Sequence, residues 1–176
     1  VHFNAFTDEL ATDLLVELGF EVPDLSNITA DTIGTEASRT GDDIGLSNAT
    51  SQAYLDSAIY HRVYLNVAAG HDISEYTFTL SYPNGTEILT KSVEPVYEAS
   101  RSRYYVDITD IGAPYLDYDY KLVAPQTETG KQYVIETSVL DYLVRGLNAT
   151  AATAAQKDMF RALYNYNQIA NDFFNL

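Results

Sequence analysis

The chain has 176 residues, of which 46% are hydrophobic and 20% are charged, and this composition is typical of a folded globular domain. It carries 25 acidic and 10 basic residues, and a formal net charge of -15 disfavours nucleic acid as a partner. The absence of cysteine excludes disulfides, thiolate nucleophiles and cysteine-ligated metals. With 15 tyrosines and no tryptophan, most of the aromatic rings carry a hydroxyl.

Residues 1–50 are predicted to hold one helix followed by an irregular connection. Thr7 is a suitable N-cap, and leucines recur at helical spacing after it. These are Leu10, Leu14, Leu15 and Leu18. Gly19 supplies a left-handed exit from the helix. From Phe20 to about Thr50 the chain is rich in Asp, Ser, Thr, Gly and Asn, which predicts a long connection with at most one short strand.

Residues 54–135 show a period of two, which indicates strands with one buried face. Along 59–67 the apolar side chains fall on one side, and the other side carries Tyr60, Arg62, Tyr64 and Asn66. The stretch Tyr82–Thr86 predicts a hairpin because its Asn-Gly pair tolerates positive φ angles. Further strands are predicted at Glu87–Val93, Arg103–Ile108, Tyr115–Val123 and Lys131–Glu136. This spacing favours a small antiparallel sandwich of the Ig-like kind.

After Thr137 the period returns to that of a helix, with Ser138 as the N-cap and Asn148 at the end. A second helix begins near Thr153 and runs to the C-terminus. Its predicted apolar stripe is Met159, Leu163, Tyr166, Ala170 and Phe173, flanked by Phe160 and Phe174. The two helices are too short to be stable alone and should pack on the sandwich as an antiparallel hairpin. The predicted fold class is therefore α+β, with residues 51–176 forming one compact unit.

Four stretches resemble a module found near the C-termini of large secreted and surface proteins of clostridia and related Gram-positive gut bacteria. They are Tyr60–Val67, Tyr104–Ala113, Ser138–Leu143 and Ala162–Asn167, the last followed by Ala170, Phe173 and Phe174. The resemblance covers roughly residue 36 to the end. Members of that family usually carry Tyr-Gly-Ala-Ala-Ala-Gln in the last helix, where this chain has Tyr-Asn-Gln-Ile-Ala-Asn. The resemblance implies an extracellular, multidomain context beside carbohydrate-active or adhesive domains, and it carries no catalytic residue set.

The pattern of polar residues gives little support for an enzyme. His2, His61 and His71 are the only histidines, and the common nucleophile, phosphate-loop and metalloprotease motifs are absent. The one enzymatic route is a carboxylate pair, Asp117 and Asp119, which a strand would place on the same sheet face as a glycosidase requires. Solvated acids that keep the chain soluble are the simpler interpretation. We therefore expect no catalytic activity.

A calcium ion is the only cofactor that the residue pattern allows. Four aspartates fall in and around the predicted strands, and carboxylates with loop carbonyls suit a hard cation. They are Asp107, Asp110, Asp117 and Asp119. Their spacing matches no calcium-binding motif, so no metal site is predicted.

The tyrosine rows give a sharper hypothesis, a flat platform for sugar rings. Tyr60, Arg62 and Tyr64 share one strand face, and Arg103 and Tyr105 share the corresponding face of another. Asp117 and Asp119 would add acceptors for hydroxyl groups. The alternative is that these rings, with Tyr142, Tyr164 and Tyr166 on the helices, hold the helices against the sheet.

The resulting functional expectation is a non-catalytic module of a secreted or cell-surface protein that binds a glycan or mediates adhesion. The expected partners are a surface polysaccharide, neighbouring domains of a larger chain and copies of itself. No run of apolar residues is long enough for a membrane helix, so membrane insertion is not expected. The alternative function is a structural spacer or the repeating subunit of a surface filament, joined through the N-terminal segment or an open strand edge.

Overall fold

The structure is a computed structural model that describes residues 23–34, 37–55, 58–84 and 87–174. The helix predicted within residues 7–18 lies outside the described residues. The described strands are β1 Ser38–Gly41, β2 Leu46–Leu55, β3 Ile59–Val67, β4 Thr79–Asn84, β5 Glu87–Ser92, β6 Val96–Glu98, β7 Arg103–Ile111, β8 Tyr120–Pro125 and β9 Gln132–Thr137. The described helices are α1 Ala30–Ile33, α2 Val139–Asn148 and α3 Ala154–Phe174.

Two antiparallel sheets pack as a sandwich, and this confirms the α+β class. One sheet has the order β1-β9-β8-β4-β5 and the other has the order β2-β3-β7-β6. The predicted hairpin is present, with Asn84 opposite Glu87 at the end of the β4–β5 pair. Branched and long apolar side chains from both sheets fill the space between them. They include Val63, Leu65, Leu80, Val106, Ile108, Leu122 and Ile135.

The polar segment before residue 50 contains more strand than expected. It forms β1 and half of β2, where a long irregular connection was predicted. A bulge between Asn48 and Thr50 shifts the alternation by one residue, so Leu46 before it and Ser51 after it both point inward. The Asn48 amide spans the bulge by donating to the Thr50 carbonyl at 3.0 Å and to the Tyr64 carbonyl at 2.9 Å. The bulge removes the period of two that would have identified the strand.

The strand predicted from Tyr115 begins later. Gly112 and Pro114 instead favour a short 3-10 turn over Ala113–Tyr115, and β8 starts at Tyr120. Leu116 after this turn is fully buried, and its carbonyl accepts the Val139 and Leu140 amides that open α2. The turn therefore ties the sandwich to the C-terminal helices.

The helical hairpin is present, and Ser138 caps α2 through a capping box with Asp141. The buried stripe of α3 is rotated relative to the prediction. It consists of Phe160, Leu163, Asn167 and Ala170, while Met159, Tyr166 and Phe173 are exposed. Asn167 occupies a core position because its Nδ2 donates to the Ala113 carbonyl at 2.9 Å. Phe160 packs against Gly146 of α2, where a Cβ atom would lie 2.2 Å from the ring.

Candidate functional site

The outer face of the β2-β3-β7-β6 sheet carries a set of interlocked side chains that we call the Arg62 cluster. Its members are Tyr54, Tyr60, Arg62, Tyr64, Tyr105 and Asp107. The strand register places them on one face, since Tyr54 is opposite Tyr60, Arg62 opposite Asp107, and Tyr64 opposite Tyr105. The predicted alternation of β3 is thus confirmed, and it brings Tyr60, Arg62 and Tyr105 together.

Arg62 lies at the centre of this cluster. Its Nε donates to Asp107 Oδ1 at 2.7 Å and its Nη2 donates to Asp107 Oδ2 at 2.8 Å. The guanidinium carbon also lies 3.6 Å from the centre of the Tyr105 ring. The bond to Asp107 holds the pKa of Arg62 above its ordinary value. A forked ion pair of this kind fixes both side chains in place.

The tyrosine side chains of the cluster also contact one another. Tyr54 and Tyr60 are stacked with 4.8 Å between ring centres and 5° between planes. The Tyr54 hydroxyl lies 3.0 Å from the Tyr64 hydroxyl, and burial raises the pKa of Tyr54 to about 12. Tyr64 has no exposed surface, so its ring offers no face to a ligand. The cluster is therefore mainly a packing device, in which Tyr64 is fully buried and the other five members are partly exposed.

Arg103 lies two residues before Tyr105 on β7 and points to the same face, opposite Glu98 of β6. Asp117 and Asp119 do not belong to this face. They precede β8 in the turn region, where the Asn171 amide of α3 donates to Asp117 at 3.4 Å. Burial raises the pKa of Asp119, and the nearby carboxylates of Asp141, Glu136 and Asp117 raise it further. The prediction that Asp117 and Asp119 share one face of a strand is therefore wrong, because both residues precede β8.

The four aspartates considered for calcium are dispersed. Asp107 is engaged by Arg62, and Asp110 ends β7 at a different place from the turn that holds Asp117 and Asp119. Within the described part of the chain, no group of three or more His, Asp or Glu side chains is arranged to hold a metal ion. The side-chain positions thus give the calcium hypothesis no support.

The two described histidines occupy unrelated environments. His61 is fully buried on the inner side of β3, and within the described residues neither ring nitrogen has a hydrogen-bond partner. Burial, followed by the charge of Arg145, lowers the pKa of His61 to about 3. His71 lies in the loop after β3, with its Nδ1 2.8 Å from Glu75 Oε2. His61 is therefore a neutral core residue, and His61 and His71 cannot act together in one site.

A second concentration of tyrosines, which the strand pattern did not predict, surrounds a cleft of about 230 Å³. We call it the tyrosine cleft. Its lining residues are Leu80, Tyr82, Pro83, Lys91, Ile108, Thr109, Asp110, Tyr115, Tyr118 and Tyr120. Leu80 and Ile108 are nearly fully buried and belong to the core between the sheets. The cleft therefore combines an apolar floor with hydroxyl-bearing walls.

The aromatic walls are arranged in two pairs. Tyr115 and Tyr118 lie 4.8 Å apart and are tilted by 43°, and Tyr115 keeps 40% of its surface exposed. Tyr82 and Tyr120 lie 6.4 Å apart and are tilted by 34°. Burial raises the pKa of Tyr120, so its hydroxyl stays protonated. The walls thus present partly exposed rings together with phenolic hydroxyls.

Two charged side chains complete the cleft. Lys91 places its Nζ 5.6 Å from the centre of the Tyr82 ring, and within the described residues it has no ion-pair partner. Asp110 adopts a left-handed conformation with φ of 62°, and its Oδ2 accepts a bond from Thr109 Oγ1 at 3.0 Å. Few residues other than glycine tolerate this conformation, but a short polar side chain such as that of Asp does. Asp110, at this bend, and Lys91 of β5 thus place one negative and one positive charge at the same aromatic cleft.

The signal for the cleft lies in the turn sequence 110–114 followed by closely spaced tyrosines. Read as a strand, that stretch puts Tyr115 and Tyr118 on opposite faces. The 3-10 turn instead brings their rings into contact. The tyrosines were visible in the sequence, but their meeting depends on a turn that the alternation did not reveal.

In the described residues, no helix is long and apolar enough to cross a membrane. No protein-family model, curated protein or solved structure matches the chain.

Proposed function

We propose that this chain is a non-catalytic, extracellular module that binds one sugar unit of a surface glycan in the tyrosine cleft. The observation that carries this proposal is the meeting of four tyrosines, one carboxylate and one ammonium group around a cavity of about 230 Å³. Ligand pockets for drug-sized molecules usually have at least ~300 Å³, so this cleft suits a single ring. Secretion or surface display and multidomain context rest on the resemblance to the module of clostridial surface proteins.

The aromatic walls supply the apolar half of sugar recognition. One face of a pyranose ring is lined with C–H groups, which pack against an aromatic face, and its hydroxyls point outward. The open part of Tyr115 is the exposed surface for this contact, and Leu80 and Ile108 keep the floor dry. Packing between neighbouring rings fixes the tyrosines before the ligand arrives, which lowers the entropic cost of binding.

The charged pair selects a neutral sugar. Sugar hydroxyls can donate to the Asp110 carboxylate and accept from the Lys91 ammonium, since both side chains line the cleft. The opposite charges of Asp110 and Lys91 sum to zero, so the pair gives no net charge attraction to either an acidic or a cationic ligand. We therefore expect a neutral hexose or N-acetylhexosamine unit.

A panel of methyl glycosides of glucose, galactose, mannose and N-acetylglucosamine tests this function, with binding followed by NMR titration of the full chain. At least one should bind with a dissociation constant of about 1–10 mM, as expected for a single ring. Asp110→Asn should weaken that binding about tenfold, because it removes the charged acceptor but tolerates the left-handed backbone.

Lys91→Ala provides a second arm of this test, with the exposed Lys131→Ala as its control. The cleft variant should bind the sugar more weakly, and the control should bind it as the parent chain does. Failure of all four glycosides to bind saturably contradicts the proposal. Equal loss in Lys91→Ala and Lys131→Ala would place the site elsewhere.

A second candidate function, a filament or spacer, is favoured by the open edges of the sandwich. β5 and β6 each lie at the edge of a sheet, and both carry exposed apolar side chains. Ile88 is 67% exposed, Val96 49% and Tyr97 53%. Such edges are sites where a strand from another copy can pair. Concentration-dependent polymers that disappear on Ile88→Lys would support this function over sugar binding.

The Ig-like connection of the strands remains part of the proposal, since the sandwich itself does not define it.

A further inference from the structure

A second cleft, of about 380 Å³, lies between β1 and α2, and two arginines line it. We call it the arginine cleft. Its lining residues are Ala37, Arg39, Asp141, Val144, Arg145, Asn148 and Ala149. None of them belongs to the tyrosine cleft, so a ligand bound here would be independent of the proposed function.

Neutral oxygen atoms hold Arg39 in place. Its Nε donates to Asn48 Oδ1 at 2.7 Å, and its Nη1 donates to the Ala37 carbonyl at 3.1 Å. These bonds orient the guanidinium but leave its charge without a counterion among the described residues. Within the same residues, Nη2 makes no hydrogen bond.

Neutral oxygens also anchor Arg145. Its Nη1 donates to Thr50 Oγ1 at 3.2 Å, and its Nη2 donates to Ser51 through the carbonyl at 2.9 Å and through Oγ at 2.6 Å. No acceptor among the described residues engages its Nε. Because a guanidinium has five N–H donors, both arginines retain donors for a further partner.

Among the described residues, only some of the arginines have ion-pair partners, although the chain has 25 acidic and 10 basic residues. Arg62, Arg101 and Arg161 each pair with a carboxylate, at 2.7, 3.6 and 2.7 Å. No carboxylate of the described residues forms an ion pair with Arg39, Arg103 or Arg145. Both arginines of the cleft are therefore held by neutral oxygen atoms, although the chain as a whole is rich in acidic residues.

The charges around Arg145 show that this arrangement is electrostatically unfavourable. Burial lowers the pKa of Arg145, and the charge of Arg39 lowers it further. Asp141, on the cleft wall, acts in the opposite direction, and its Oδ2 also accepts the Ser138 amide at 2.6 Å. Among the described lining residues, two arginines and one carboxylate give a net positive charge. An anion held between the arginines would relieve their repulsion.

We propose that the arginine cleft binds an acidic saccharide through its carboxylate group. Arginine N–H donors suit the oxygens of such a group, and the donors left open, Arg39 Nη2 and Arg145 Nε, can each bond to one oxyanion. A cavity of about 380 Å³ is larger than a lone ion needs, and the excess accommodates the ring that carries the charge.

The test is an NMR titration of the full chain at about 0.15 M salt, which screens long-range repulsion from the acidic surface. The probes are methyl glucuronide and inorganic sulfate. Both should bind saturably, and Arg39→Gln should weaken both by about tenfold. Arg145→Lys should weaken both as well, since lysine retains the charge but lacks the guanidinium Nε–H donor.

Arg101→Gln is the matched control, because it removes one positive charge at an exposed residue that is not among those lining the cleft. It should leave the binding of both probes unchanged. Equal weakening in Arg39→Gln and Arg101→Gln would show a general charge effect and overturn the proposal.

Binding of methyl glucuronide shows whether the oxyanion is carried by a sugar or is a free inorganic ion. If the glucuronide fails to bind saturably, the proposal is overturned, whether or not sulfate binds. Tyr115→Ala should leave glucuronide binding intact, and its loss in that variant would assign the acidic sugar to the tyrosine cleft instead. Failure of neutral glycosides to bind would leave this result unaffected.

Discussion

His61 is the residue whose burial has the clearest energetic consequence. It lies on the inner face of β3, opposite Ala53 and Ile108, with neither nitrogen bonded to a described residue. A buried polar group without a partner costs free energy, and a buried charge costs more. The neutral ring is therefore the only form that the folded core accommodates.

This burial predicts an acid-sensitive fold. The pKa of His61 is about 3 in the folded chain, compared with ~6.5 when unfolded, so below pH 6.5 the unfolded state binds a proton that the folded state does not. The stability is fully present above pH 6.5 and falls as the pH drops toward 3. Linkage gives a loss of roughly 3 kcal/mol between pH 7 and pH 4 from this group.

Urea unfolding of the parent chain and of His61→Leu at pH 7 and pH 4 measures this effect. The variant should lose less stability on acidification, by roughly 3 kcal/mol. His71→Gln serves as the control and should retain the acid sensitivity of the parent. Parallel losses in the parent and His61→Leu would show that His61 is not the responsible group.

The Arg62–Asp107 ion pair joins β3 to β7. Its contribution to stability can be compared with that of an exposed ion pair. Both side chains are mostly covered, at 16% and 26% exposure, and the bond is forked. A double-mutant cycle with Arg62→Gln and Asp107→Asn should give a coupling of about 1–2 kcal/mol. The same cycle on Arg161–Asp158, whose acid is 70% exposed, should give less than about 0.5 kcal/mol. Equal couplings would contradict a structural role for the Arg62 cluster.

At the scale of elements, the contact between α2 and α3 depends on Gly146. A methyl group at this position would lie 2.2 Å from the Phe160 ring, so Gly146→Ala must displace that ring. Overpacking of this kind costs about 1–3 kcal/mol. Urea unfolding should show that loss in the parent background.

Phe160→Leu provides the matched background for that measurement. Without the aromatic ring, adding Ala at position 146 should cost little, or it should stabilise the helix through its better propensity. A penalty for Gly146→Ala that is the same in both backgrounds would contradict the contact.

Element prediction succeeded where local patterns determine the structure. The alternation of β3, the β4–β5 hairpin and the Ser138 cap each depend on residues close in sequence. It failed where a tertiary contact overrides the pattern. The bulge at Asn48 hides the period of β2, and the bond from Asn167 to Ala113 puts a polar residue in the buried stripe of α3.

The candidate site follows the same division. The register that joins Tyr60, Arg62 and Tyr105 was readable from the strands, but the burial of Tyr64 was not. That burial depends on cross-strand neighbours and on the Arg101 guanidinium, 5.2 Å from the ring centre. The tyrosine cleft requires the bend at Asp110, and a backbone angle of that kind has no periodic signal.

At the scale of the whole molecule, the sandwich separates the surfaces considered for binding. The Arg62 cluster lies on the outer face of one sheet. The tyrosine cleft has its floor formed by core residues from between the two sheets. The tyrosine excess is thus divided between rings that stabilise a sheet face and rings that line a cleft. We expect the cleft, and not the sheet face, to bind sugar.

The most direct test compares sugar binding in Tyr115→Ala, Tyr60→Ala and the exposed control Tyr97→Ala, by NMR titration with the best-bound neutral methyl glycoside. We predict that Tyr115→Ala weakens binding about tenfold, while Tyr60→Ala and Tyr97→Ala bind as the parent chain does. Loss of binding in Tyr60→Ala with full binding in Tyr115→Ala would contradict a sugar site in the tyrosine cleft and assign the sugar to the Arg62 cluster.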